Sequence, residues 1–376
     1  MTQKEAIEYA INLAKKADEN QIRPNPFVGA VIVDQAGQVI GEGFHQKLGG
    51  PHAEVFAIEQ ALQKTTDLSQ ATLYVSLEPC SHFGKTPPCA DLIIQHKIKK
   101  VVIASLDPNP KVASIEKLMA AGIDVEVIND ATASLLNARF FTNQNKKRPF
   151  YILKLASTID GKIADYAKNS QWISNAASRQ YVHDYLRSNV DAIITSYKTV
   201  IQDQASLTIR NTVGGIQETN VMIIDKNLDL LESQYENLPI FYPRSSSKII
   251  LITASVPSIQ LPENMECITG IFDEQGLLFS SVSETLLEMG YYKILTEAGS
   301  QLNSSMIQQN IADELYWFIA PAILNDLNAL PMLGLDQFCA LDKKVNLSLI
   351  ETKIIDEDVL LHYRFNQILL DLIRLD

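Results

Sequence analysis

The stretches Pro51-His52-Ala53-Glu54 and Glu78-Pro79-Cys80-Ser81-His82-Phe83-Gly84-Lys85-Thr86-Pro87-Pro88-Cys89 decide how the first half of this chain is read. An imidazole and two thiols are ligand types that zinc favours, and three protein ligands leave one tetrahedral position open for water. An open position marks a catalytic centre, because bound zinc brings the pKa of water toward neutrality. His52, Cys80 and Cys89 are therefore the candidate metal ligands. Glu54 lies two residues past His52, close enough to reach such a water without being a ligand, and is the candidate proton shuttle. His52 follows Gly49-Gly50-Pro51 and Cys89 follows Pro87-Pro88, both of which read as helix starts. A helix N-terminus favours thiolate over thiol. Taken singly, each residue reads as a buried cysteine or a helix-start histidine; the combination carries the assignment.

Outward from this centre, the spacing of Ala6, Tyr9, Ala10, Leu13, Ala14 and Ala17 predicts a helix over 3–18. A buried strand at 27–33 returns through the turn Asp34–Gly37 into 38–45, a hairpin signal. Helices at 52–63, 89–96 and 112–121 alternate with strands at 71–77, 100–105 and 123–128, and 131–142 reads as a closing helix. Such alternation after a hairpin implies a mixed sheet covered on both faces. The polar run Asn143–Pro149 is the expected domain boundary. Beyond it, strands at 150–157, 190–195, 220–225, 247–253 and 292–296, with helices near 175–188 and 281–289, describe a second α/β unit. Its last third reads as short strands and loops, and 365–376 carries a helical apolar pattern.

At 376 residues, 46% hydrophobic and 20% charged, the chain holds material for two globular cores. Its net charge is −12, with both halves acidic, so it lacks the broad basic face that a nucleic-acid polymer requires. The small basic clusters at Lys97, Lys99 and Lys100 and at Lys146-Lys147-Arg148 read as a solvated helix end and a linker. Four cysteines in so long a chain do not make a disulfide framework, and Cys267 and Cys339 read as small buried hydrophobes. No apolar stretch is long enough to span a bilayer, and the N-terminus lacks a signal-peptide core. We expect a cytoplasmic protein with no membrane or nucleic-acid partner.

The cluster is similar to the zinc-deaminase pattern H-x-E…P-C-x-x-C, except that eight residues separate the two cysteines here. The longer loop brings His82 and Lys85 beside the metal, suited to gripping a polar or phosphorylated ring. Together with Pro24-Asn25-Pro26-Phe27-Val28-Gly29, these motifs resemble the bifunctional deaminase-reductase family of riboflavin biosynthesis. Lys154-Leu155-Ala156 through Asp160-Gly161-Lys162, then Ser170-Gln171-Trp172-Ile173, are similar to the opening of that family's reductase domain. The resemblance covers nearly the whole chain and is more specific before residue 210 than after it.

It implies an α/β protein with a cytidine-deaminase-like α/β/α domain at 1–145 and a dihydrofolate-reductase-like α/β domain at 149–376. The implied chemistry is hydrolytic deamination of 2,5-diamino-6-(5-phosphoribosylamino)pyrimidin-4-one, then reduction of the ribosyl group to ribityl. The implied cofactors are Zn2+ and NADPH, and a homo-oligomer is expected. By the same resemblance, Asn25, His45, His82, Lys85 and Asn109 contact substrate in the first domain, and Ser170, Arg187, Leu207, Arg210 and Glu297 in the second. Lys154, Ala156, Trp172, Thr199, Asp203, Gly299 and Ser300 match cofactor positions. Glu297-Ala298-Gly299-Ser300 also reads as a phosphate cradle at a helix start, although no G-x-G-x-x-G fingerprint is present. Two segments depart from the family pattern: Thr195–Arg210 lacks its turn glycine and proline, and Pro321–Asn325 ends in Asn where Gly is usual. Competing readings are a zinc deaminase whose second half is only an assembly module, and a nucleic-acid-editing deaminase.

Overall fold

The computed structural model describes residues 1–82, 87–211, 215–232, 237–241, 244, 246–334 and 341–366. Lys85, Cys339 and the tail beyond 366 lie outside the described residues. The chain forms two compact units that meet in sequence at Lys146 and Lys147.

In the first unit, helix α1 (Gln3–Ala14) opens with a reciprocal capping box between Thr2 and Glu5. It stops earlier than its apolar stripe suggests, because Asp18 caps a separate short helix, α2 (Glu19–Ile22). Strands β1 (Gly29–Val33) and β2 (Val39–Phe44) form the hairpin. Helix α3 (Ala53–Leu62), β3 (Thr72–Val75), α4 (Cys89–Gln95), β4 (Lys100–Ile103), α5 (Ser114–Ala120) and β5 (Asp124–Val127) then alternate. The sheet order is β2-β1-β3-β4-β5, with β1 antiparallel to both neighbours and β3, β4 and β5 parallel. Every residue of β1 is buried, as expected of a strand covered on both faces.

Helix α3 lies directly on the backbone of β2. A Cβ at Gly41 would stand 2.0 Å from the Ala57 carbonyl, and one at Gly43 2.5 Å from the Ala53 carbonyl. The glycines and the buried alanines Ala53, Ala57 and Ala61 thus set the depth of the helix. The closing helix is broken into α6 (Ala131–Leu136) and α7 (Ala138–Lys146). The break falls at Asn137, whose side-chain amide binds both the N–H and the carbonyl of Phe27, at 2.8 and 2.9 Å. Helix α7 runs on through residues whose polarity suggested a linker; its buried face includes Arg139, Thr142 and Asn143.

The second unit begins with β6 (Phe150–Thr158) and β7 (Lys162–Ala164). Helix α8 (Ala176–Tyr181) continues through a wide π turn, Val182–Leu186, and a 3-10 turn, Arg187–Asn189. Next come β8 (Ala192–Ser196), α9 (Tyr197–Asp203), β9 (Ile209–Asn211), β10 (Gly215–Gln217), β11 (Asn220–Ile224) and α10 (Asp229–Glu232). Strands β12 (Ile249–Thr253), β13 (Met265–Thr269), β14 (Phe272–Asp273) and β15 (Gly276–Leu277) precede α11 (Ser283–Glu288), β16 (Lys293–Thr296) and α12 (Ser300–Gln308). The chain closes with β17 (Ala312–Ala320), β18 (Leu330–Pro331), β19 (Leu347–Ile355) and β20 (Asp358–Phe365). These last long strands correct the expectation of short ones.

The main sheet runs β13-β12-β11-β8-β16-β6-β17-β20-β19, parallel as far as β17 and antiparallel from there. One core packs Leu153, Ile194, Met222, Phe279 and Leu286; another packs Ile193, Val200, Ile223, Leu230 and Leu251. Sequence reading missed α9, which carries β-branched Thr199, Val200 and Ile201. Ser196 starts it by accepting the Thr199 N–H. Cys267, on the edge strand β13, is half-buried and sits 3.2 Å from the Thr253 hydroxyl, so it is less enclosed than expected.

Arg148, which read as a solvated linker charge, is buried. It makes two hydrogen bonds, 2.7 and 2.8 Å, to the fully buried carboxylate of Asp313. Asp313 also accepts the Tyr151 N–H at 2.7 Å, so the pair fastens the start of β6 to the start of β17. Removing one partner of a buried ion pair typically costs about 3–5 kcal/mol. Arg148→Ala should lower the stability of the second unit by that order in urea unfolding followed by circular dichroism.

Candidate active sites

In the first unit, three separate segments bring three ligand atoms together. His52 is the N-cap residue of α3, Cys80 follows β3, and Cys89 opens α4. His52 Nδ1 stands 3.5 Å from Cys80 Sγ and 3.3 Å from Cys89 Sγ, and all three ligand atoms lie within 4.8 Å of one another. Nitrogen and sulfur ligands of a tetrahedral zinc would stand about 3.6 Å apart at ordinary bond lengths. The donor set and spacing therefore fit the ion.

Electrostatics point the same way. The Cys89 thiol, the His52 ring and the Cys89 N–H hold the Cys80 thiol down at about 4. Hydrogen bonding to Cys80, with burial behind it, pushes the Cys89 thiol up. A divalent cation between the two sulfurs allows both to be thiolates.

Glu54 sits in the first turn of α3, 2% exposed, and its Oε2 has no hydrogen-bond partner among the described residues. Burial raises its pKa. His45 is held through both ring nitrogens. Nδ1 donates to the Pro51 carbonyl at 3.1 Å, which leaves Nε2 to accept from the Asn25 amide at 3.0 Å. Its ring meets the His52 ring edge-on at 5.5 Å, and burial lowers its pKa. Asn25 and His45 thus join the metal side of the unit. The Asn109 side-chain oxygen accepts the Lys111 N–H at 3.1 Å in a local turn. His82 is exposed.

Glu78 was missed, although it stands two residues before a ligand. One carboxylate oxygen accepts the Ser114 N–H and hydroxyl at 3.2 and 2.8 Å, and the other accepts the Asp107 N–H at 3.3 Å. The Ser81 hydroxyl accepts the Ala113 N–H at 2.8 Å. Both flanks of Cys80 are therefore anchored at the start of α5.

In the second unit, several candidate residues lie on or after the adjacent parallel strands β6, β16 and β8, toward the carboxyl ends where open α/β sheets bind ligands. Lys154 and Ala156 lie on β6, and Glu297, Gly299 and Ser300 follow β16. Thr199 and Asp203 lie on α9, after β8. Burial alone would raise Glu297, but the Arg187 guanidinium and the Lys154 ammonium overcome it and hold Glu297 at about 2. Arg187 grips Glu297 through two hydrogen bonds, 2.5 and 2.9 Å, and also donates to the Thr208 carbonyl. It is a fixed charge rather than a free one. Burial lowers the pKa of the half-buried Lys154. Ser170 donates to Asp203 at 3.2 Å.

Trp172 is 69% exposed, with the Arg179 guanidinium 4.2 Å from its ring centre. The two departures from the family pattern are accommodated. Tyr197 packs against the core beside Val200, and Lys198 is exposed. Asn325 adopts the left-handed backbone (φ 49°) that Asn tolerates better than most residues, and Asp160 accepts its N–H at 2.9 Å. Leu207 is buried, and Arg210 reaches the Ser206 hydroxyl at 2.8 Å.

Family models match both units. Residues 1–105 match the cytidine and deoxycytidylate deaminase zinc-binding region, and 149–361 match the RibD C-terminal domain. The riboflavin biosynthesis protein RibD of Aquifex aeolicus is 36% identical over 343 residues, covering 88% of this chain and 90% of that one. A Thermotoga maritima diaminohydroxyphosphoribosylaminopyrimidine deaminase/5-amino-6-(5-phosphoribosylamino)uracil reductase has a solved structure at 35% identity. It covers 96% of this chain and 98% of its own, with a TM-score of 0.78. Acinetobacter baumannii RibD matches at 33% identity and a TM-score of 0.76, covering 96% and 98%. No helix among the described residues is long and apolar enough to cross a membrane. A zinc-binding deaminase domain followed by a reductase domain, matched along nearly its full length, makes this chain a member of the RibD family of riboflavin biosynthesis, the bifunctional deaminase-reductases.

Proposed function

We propose that the first unit deaminates 2,5-diamino-6-(5-phosphoribosylamino)pyrimidin-4-one and that the second reduces the ribosyl group of the product with NADPH. The convergence of His52 Nδ1 and two thiols beside the unpartnered oxygen of Glu54 carries the reading. His52, Cys80 and Cys89 would hold zinc, which when bound supplies a nucleophilic water at neutral pH. Glu54 takes the proton of the attacking water and delivers it to the amine that leaves the pyrimidine carbon as ammonia. His45 and Asn25, locked to each other and to Pro51, orient the ring, with His82, Lys85 and Asn109 completing the substrate side.

In the second unit Lys154, Ala156, Trp172, Thr199, Asp203, Gly299 and Ser300 would hold NADPH, which when bound supplies hydride to C1′ of the opened ribosyl imine. Helix α12 starts at Gly299 with no side-chain cap, and a Cβ there would meet nothing within 4 Å. Its first N–H groups have no side-chain cap among the described residues and can face phosphates. Ser170, Arg187 and Glu297 orient the substrate, and Leu207 and Arg210 receive its phosphate. The reaction needs neither nucleic acid nor membrane, and we place the protein in the cytoplasm. We also assign a homo-oligomer, on the strength of β19. This nine-residue edge strand pairs only with β20 among the described residues and exposes Leu349, Ile350 and Ile354.

Glu54→Gln should retain about one zinc per chain by atomic absorption. Ammonia release should fall by about 10²- to 10⁴-fold, the usual contribution of a general acid-base group. Loss of zinc along with activity would remove the shuttle role. NADPH should bind saturably by fluorescence titration, and its oxidation should depend on the deaminated substrate. Binding without oxidation would leave the second unit an assembly module. In sedimentation velocity, Ile354→Lys should shift the protein toward monomer; a monomeric wild type would dismiss the oligomer.

A further inference from the structure

The run Ser206-Leu207-Thr208 is held by side chains from elsewhere in its unit rather than by a neighbouring strand. Arg244 donates Nη2 to the carbonyls of Ser206 and Leu207, at 2.8 and 3.1 Å. Arg187 takes the Thr208 carbonyl at 2.7 Å, and Gln180 takes the Arg210 carbonyl at 2.8 Å. His183 accepts the Arg210 N–H at 3.1 Å. With the carbonyls turned toward these donors, the N–H groups of Leu207 and Thr208 have no partner among the described residues. Leu207 has φ 47°, and successive N–H groups around such a residue form a concave surface that suits an anion.

Arg244 is the anchor that nothing in its neighbourhood of sequence announces. It is 6% exposed, and among the described residues its hydrogen bonds go to carbonyls and a hydroxyl rather than to a carboxylate. Besides Ser206 and Leu207, it donates to the Ile240 carbonyl at 2.6 Å, the Thr219 carbonyl and the Ser247 hydroxyl at 3.0 Å. Burial draws its pKa down to about 10, which leaves it cationic at neutral pH. Only a planar guanidinium offers five donors in a fixed fork; a lysine at this position could not hold the same set.

We propose that Arg244 is a positioning residue for the reductase reaction, shaping residues 206–208 into the cradle that receives the substrate phosphate. The proposal rests on the reading of Leu207 and Arg210 as the phosphate side of that site. Arg244 itself touches neither substrate nor cofactor; it turns the carbonyls away so that the N–H groups face the anion.

The test uses the full chain, with the deaminated phosphoribosyl substrate and with ribose 5-phosphate as a competitive inhibitor. In Arg244→Lys the KM for substrate and the Ki for ribose 5-phosphate should rise together, by about tenfold, while kcat and the Kd for NADPH change by less than about twofold. Arg210→Ala should raise KM in the wild type and by a smaller factor in the Arg244→Lys background, because both act on one cradle. Unchanged KM and Ki in folded Arg244→Lys, whatever its Tm, would overturn the proposal and leave Arg244 a structural residue. So would a parallel loss of NADPH affinity. Where Arg244→Lys does not fold, Ser247→Ala loosens the same guanidinium, and a KM and Ki that stay fixed in it overturn the proposal equally. If Arg210→Ala alone leaves KM unchanged, the phosphate reading fails independently of Arg244.

Discussion

The depth at which helix α3 lies on the hairpin is the constraint on which the metal centre depends. His52 and Glu54 belong to the start of that helix, whereas Cys80 belongs to the end of a strand two places across the sheet. Side chains at Gly41 and Gly43 would collide with helix carbonyls, so the glycines allow α3 to descend until its first turn meets the sulfurs. The ligand geometry is then fixed by backbone packing rather than by the ligands themselves.

The second unit solves its positioning problem differently. Few of its candidate residues are fixed by backbone packing alone. Charged side chains hold one another and the backbone: Arg187 holds Glu297 and Thr208, Asp313 holds Arg148 and Tyr151, and Asp160 holds Leu324 and Asn325. Such networks give specificity of arrangement rather than large net stability, because each buried charge must first be desolvated.

This difference explains how much could be read from the sequence. In the first unit the candidate ligands occur in compact motifs, two of them at helix starts marked by proline and glycine, so the elements and the convergence of His52, Cys80 and Cys89 were legible. What escaped there depended on contacts between distant residues. Asn137 breaks the closing helix because it pairs with Phe27, 110 positions away, and Arg139, in the helix beyond it, is buried against Glu19. In the second unit the strands were legible as apolar runs, but helix α9 was hidden by β-branched residues that favour strands. Arg148 looked like linker charge because its partner lies 165 residues on, and Arg244 gave no local signal at all. Residues placed by the resemblance, such as Lys154 and Glu297, do lie close enough to interact beside the central strands β6 and β16, where Arg187 is already paired with Glu297.

Among the described residues Oε2 of Glu54 has no hydrogen-bond partner, and its burial carries a thermodynamic consequence. A buried polar atom left without a hydrogen bond costs about 1–3 kcal/mol. Whatever polar group comes to lie beside it, the carboxyl must still be taken out of water, which an apolar side chain of similar size avoids. On the proposed shuttle role, stability and turnover therefore pull this residue in opposite directions. A library of variants ranked only by melting temperature would tend to discard Glu54, and one ranked by flux would restore it.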